Sequence, residues 1–136
     1  MLVQPNTGGY LGSTAELQQR VQLANQGVAP YKAAVSDALS FANGKLGSNP
    51  SPQNPLSISG TTAAFVDDTA AAYGLALAYS ASGDVKYAKK SRDYIMAWVN
   101  TTKSTKNTCT NSGSCQTTLI ISRVAPAFVF AANLIK

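Results

Sequence analysis

Asp67–Asn100 reads DDTAAAYGLALAYSASGDVKYAKKSRDYIMAWVN, and the fold follows from how this stretch is parsed. It divides into two helices joined by a tight turn. From Thr62 to Ala81 nearly every residue is apolar or small and no proline interrupts. The alanines at 63, 64, 70, 71, 72, 76, 78 and 81 favour helix and let neighbouring backbones come close. Apolar residues occupy every side, which predicts a helix buried in the middle of a helical assembly. Asp67 and Asp68 fall in its first turns, where the helix dipole favours a carboxylate by about 0.3–1 kcal/mol at an exposed site. Adjacent helical residues point ~100° apart, so the two read as caps or cation partners rather than as a catalytic carboxylate pair.

Ser82-Gly83-Asp84 ends the first helix and starts the second. Gly83 suits the left-handed position after a helix, and Asp84 is a good N-cap. The second helix, from Val85 to about Val99, is amphipathic. At ~100° per residue, Val85, Ala88, Tyr94, Ile95 and Trp98 share one side, and Lys86, Lys89, Lys90 and Asp93 the other. Tyr73, Tyr79, Tyr87, Tyr94 and Trp98 are predicted core residues. Arg92 falls among the apolar positions; an unpaired guanidinium there costs several kcal/mol, so Asp67 or Asp68 is its expected partner.

The hairpin resembles the N-terminal half of the alginate-lyase-like polysaccharide lyases. The residues that carry the resemblance are Asp68, Ala70, Ala71, Ala72, Tyr73, Ala76, Leu77 and Tyr79, then Gly83, Asp84, Tyr87, Ala88, Lys90, Tyr94, Ile95, Ala97 and Trp98. Ile120–Lys136, IISRVAPAFVFAANLIK, is similar to the family's next helix, which ends in Ala-(Asp/Glu/Asn)-(Leu/Ile)-(Leu/Ile). The resemblance covers about half the chain. It implies antiparallel helical hairpins forming part of an (α/α) toroid, β-elimination on a uronic-acid polymer such as alginate, and an acidic polysaccharide as partner. The family's catalytic Asn-His segment lies downstream of the matched region, and nothing in this chain corresponds to it. The resemblance therefore implies an N-terminal portion, inactive alone, with a second chain or self-association completing the helical array. A generic array of helical hairpins uses the same turn chemistry. The alternatives are a non-catalytic carbohydrate-binding protein and a structural assembly subunit.

The remaining sequence is consistent with one all-α domain over residues 13–136 behind an extended arm, 1–12, that contains three glycines and a proline. Ser13-Thr14-Ala15-Glu16 is a capping box. Helices are predicted near 14–26, 30–43, 62–81, 85–99 and 119–135, with Gly27 and Asn43-Gly44 as stops, Pro30 as a start and Pro126 as a kink. Gly27–Pro30 can also be a kink in one longer helix. Residues 45–61, KLGSNPSPQNPLSISGT, form a long loop, either a surface connector or a cover over a substrate cleft.

The chain has 136 residues and a net charge of +5. Six of its eleven basic residues lie between Lys86 and Lys106, either a solvated helix face or a surface for polyanions. Scarce arginine and no aromatic–basic RNA motif argue against nucleic acid. No unbroken run of 18 apolar residues argues against a membrane span. Histidine is absent, which removes imidazole triads and imidazole metal sites. No glycine-rich phosphate loop is present, and no cofactor is expected. Cys109 and Cys115 flank TNSGS in a polar loop and can close a short disulfide, which favours an oxidising, extracellular compartment; two thiols alone do not fill a zinc shell. Asn100-Thr101-Thr102 is a glycosylation sequon in a predicted loop. Candidate substrate-binding residues are Tyr10 and Tyr31 for stacking on sugar rings, Gln53 and Asn54 for hydroxyls, and Arg123 for a carboxylate. No catalytic residue is assigned.

Overall fold

The computed structural model describes residues 8–9, 12–58, 64–106 and 116–136. The chain is all-α. Among the described residues, six helices follow an antiparallel pair of two-residue strands, β1 (Gly8–Gly9) and β2 (Gly12–Ser13): α1 (Thr14–Asn25), α2 (Tyr31–Leu46), α3 (Ala64–Ser82), α4 (Val85–Thr101), α5 (Gln116–Val124) and α6 (Pro126–Leu134). The rest of the predicted arm, and both cysteines, lie outside the described residues.

α3 is the central helix and packs against all five others. Its alanines explain this. Ala71, Ala72, Ala76 and Ala78 are buried with Leu75 on several sides of the helix, and each lets a neighbour approach closely. With Ala42, Tyr87, Tyr94 and Ala131 they form the main core. A second cluster, Leu56, Ile58, Phe65 and Trp98, closes the N-terminal end of α3. There Phe65 meets Trp98 edge-on at 5.0 Å and Phe128 at 5.9 Å.

The α3–α4 pair is antiparallel. Ser91 Oγ donates to the Ala72 carbonyl at 2.7 Å, and Trp98 Nε1 donates to Asp68 Oδ2 at 2.7 Å, so contacts move back along α3 as they move forward along α4. The turn forms as the sequence predicts. Gly83 has φ 72°, and the Asp84 side chain accepts from the Lys86 amide. The α1 capping box is also formed, and Gly27 ends α1 with φ 82°. The last helix breaks at Ala125, before Pro126, which gives the expected kink, but it starts at Gln116 rather than 119.

Several expectations are corrected. Asn43-Gly44 does not stop α2, which continues to Leu46. Leu46 packs on the main core, and Asn43 Oδ1 accepts from the Tyr87 hydroxyl at 2.7 Å. Tertiary contacts outweigh the ~1 kcal/mol helix cost of Gly44. The loop over 47–58 keeps most of its residues at the surface and is anchored in the core near its end. It buries Leu56 and Ile58 and forms a parallel bridge to the segment after α4: Leu56 N donates to Ser104 O, and Lys106 N to Leu56 O, both at 2.8 Å. The Ile58 amide and carbonyl both reach Thr117 Oγ1.

Arg92 is exposed and does not meet Asp67 or Asp68. The buried phase of α4 is Tyr87, Ser91, Tyr94 and Trp98, one residue away from it, and Val85 is also exposed. Asp68 is buried and takes two N–H donors on one oxygen, Ser51 N and Trp98 Nε1, each at 2.7 Å. Asn100 is exposed in the last turn of α4 rather than in a loop. Finally, among the described residues one window, Thr117–Leu134, is long and apolar enough to cross a membrane by length and composition, although it contains no unbroken run of 18 apolar residues. It includes Arg123, and α5 and α6 within it pack on α3.

Candidate functional site

A cleft of about 460 Å³ opens between α1, the C-terminal half of α3 and the end of α6. α3 contributes Tyr73, Leu77 and Ser80, which recur at helical spacing on one face, and Tyr79; the turn after it contributes Gly83. α1 contributes Glu16, Leu17 and Arg20, and the C-terminal segment contributes Phe130, Asn133, Leu134 and Lys136. The Tyr73 and Phe130 rings pack at 6.3 Å, tilted by 58°. Tyr73 and Tyr79 are thus half-buried wall residues, whereas Tyr87, Tyr94 and Trp98 are core as expected.

Two cations and one carboxylate face this space. The Glu16 carboxylate is committed to the capping box, with Oε2 accepting from Ser13 N at 2.9 Å. That backbone bond, then the Ser13 hydroxyl, hold Glu16 below the usual carboxylate range. Lys136 Nζ donates to Asn133 Oδ1 at 2.7 Å. Among the described residues the ion pair within 4 Å is Lys86–Asp84; Arg20 acts on Glu16 only from beyond that distance, and helps to hold its carboxylate down. Burial pushes the Tyr73 hydroxyl up, which keeps it a neutral donor at physiological pH. Its hydroxyl and that of Tyr79 bond to no described residue.

A second surface lies on the outer side of α4. Lys86, Lys89 and Arg92 are exposed there, and Lys90 lies over the Tyr94 ring at 5.8 Å. Lys103 and Lys106 extend the basic surface beyond the helix. Two of the predicted binding residues adjoin it. Asn54 Oδ1 accepts from Lys103 N at 3.1 Å and Ser104 Oγ at 3.4 Å, and the Gln53 carbonyl accepts from Thr102 Oγ1 at 2.8 Å. Tyr31 is half-buried at the start of α2, and Arg123 is exposed near the end of α5; these two do not join Gln53 and Asn54 in any described contact. Tyr10 lies outside the described residues.

Among the described residues, none of the predicted binding residues lines the cleft. The Tyr73, Leu77, Ser80 spacing was visible in the sequence, but reads equally as core. Among the described residues no three His, Cys, Asp or Glu side chains converge as a metal site would need. No family model, no curated protein and no solved structure matches this chain.

Proposed function

We propose that the chain is the N-terminal portion of a secreted polysaccharide lyase of the alginate-lyase-like kind, acting on a uronic-acid polymer. It holds the acidic polymer along the outer side of α4 and supplies no complete catalytic set. The observation that carries this reading is the junction of Asn54 with Lys103 and Ser104, which sets a side-chain amide beside a run of exposed cations. Uronate polymers present one carboxylate and several hydroxyls per ring, and this surface offers donors for both. The helical hairpin on which the resemblance rests is a packed unit whose first and last matched residues, Asp68 and Trp98, are hydrogen-bonded to each other. A toroid completed by a second chain or a second copy belongs to the same proposal.

The test incubates the purified chain with polymannuronate, polyguluronate and glucuronan. Product is followed by absorbance of the unsaturated sugar, and binding by calorimetry at rising salt. Binding without product is expected, and it should weaken as salt screens exposed charges over ~8 Å at physiological strength. Product from this chain alone would show a catalytic set within it. Salt-independent binding, or no binding, would remove the α4 surface from the reading.

A further inference from the structure

The cleft between α1, α3 and α6 has a chemistry that the α4 surface does not share. Its body is apolar: Leu17, Leu77, Leu134 and Phe130 with the face of Tyr73. Its charged groups leave one cation in excess, because Arg20 and Lys136 face it against a Glu16 carboxylate already held by Ser13. We propose that this cleft binds a small amphipathic carboxylate, an acid with an aliphatic or aromatic body. The body lies against the leucines and Phe130, and the carboxylate meets Arg20 and Lys136.

Three observations favour this ligand over a sugar. A sugar ring needs several hydrogen-bond partners, whereas the Ser80 hydroxyl already donates to Ala76 O and Asn133 Oδ1 already accepts from Lys136. The apolar residues are contiguous along successive turns of α3 and α6. The volume, about 460 Å³, falls within the ~300–1,000 Å³ of small-molecule sites, which suits a medium-chain or phenylpropanoid acid. The Tyr73 hydroxyl, a neutral donor, can support the carboxylate.

The test follows backbone amide shifts of the whole chain on titration with octanoate, cinnamate, octanol and glucuronate. Octanoate or cinnamate should shift amides in α1, the second half of α3 and α6, and octanol should bind about tenfold more weakly. Comparing the two acids identifies the body. The double variant Arg20→Gln/Lys136→Gln should abolish the preference for octanoate over octanol without changing the thermal midpoint, since both cations are exposed. Leu77→Gln should weaken both ligands. Equal affinity for octanol and octanoate in the unaltered chain, shifts confined to other helices, or tighter binding of glucuronate than of either acid would each overturn the proposal. Glucuronate shifts confined to α4 would report on the polymer surface and not on the cleft, so the amides that move tell the two readings apart.

Discussion

At the scale of single residues, Asp68 is a buried carboxylate held by two hydrogen bonds. One carboxylate oxygen accepts both the Ser51 amide and the Trp98 indole N–H, and so ties the loop over 47–58 to α4 across the start of α3. Removing the acceptor strands two donors, and an unsatisfied buried donor costs about 1–3 kcal/mol. Asp68→Ala should therefore lose roughly 3 kcal/mol in urea unfolding. Asp68→Asn can place its carbonyl oxygen where Oδ2 lies and accept both bonds, so its loss should be under half of that. Trp98, the one tryptophan, gives the fluorescence readout. A larger loss for Asn than for Ala would show that charge, not acceptance, matters. Arg92→Ala, by contrast, removes an exposed side chain and should stay within about 0.5 kcal/mol of the unaltered protein.

At the scale of elements, what the sequence made legible was local chemistry. The capping box of α1, the Gly83–Asp84 turn and the Pro126 kink each depend on a few adjacent residues, and each formed. What was not legible depended on distant partners. α2 runs past Asn43-Gly44 because Tyr87 and the main core hold its end. The proline-rich loop enters the core because residues 104–106 pair with Leu56. The cleft was hidden because nothing in α1 or α6 announces that they are neighbours across α3. Arg92 was misplaced by a single residue of helical phase. The α2–α3 contact carries its own prediction. A Cβ at Gly74 would lie 2.6 Å from Phe41 Cδ1 and closer still to Cε1, so Phe41 packs on bare backbone. Gly74→Ala should destabilise the protein by about 1 kcal/mol, because overpacking of ~1–3 kcal/mol exceeds the gain in helix propensity. In a Phe41→Ala background the same change should instead stabilise, and thermal unfolding of the four proteins reads the sign reversal. α1 also has a pH dependence. Glu16 is held below its ordinary range by Ser13, so the cap's contribution is present above that range and is lost as pH falls through the folded value. Amide exchange in the first turn of α1 should speed up on acidification, relative to the same amides in Glu16→Gln, where this titration is absent.

At the scale of the whole molecule, two core clusters share one scaffold. The main cluster surrounds the middle of α3, and the second, around Phe65 and Trp98, closes one end of it. Phe128 of α6 packs against both, so α3 and α6 together carry stability from one cluster to the other. The chain should then unfold as one unit, although the loop over 47–58 alone resembles a detachable segment. Thermal transitions followed by Trp98 fluorescence, which senses the second cluster, and by far-UV circular dichroism, which senses all helices, should coincide. Phe128→Ala tests the link. Truncating a large buried or half-buried aromatic costs about 3 kcal/mol or more where the site cannot collapse. If Phe128 joins the clusters, the fluorescence transition should fall below the dichroism transition in this variant, because the smaller cluster loses its support from α6 first. Leu39→Ala, which thins the main cluster alone, should lower both transitions together. Separate transitions already present in the unaltered protein would mean that the two clusters fold independently and that α3 does not couple them.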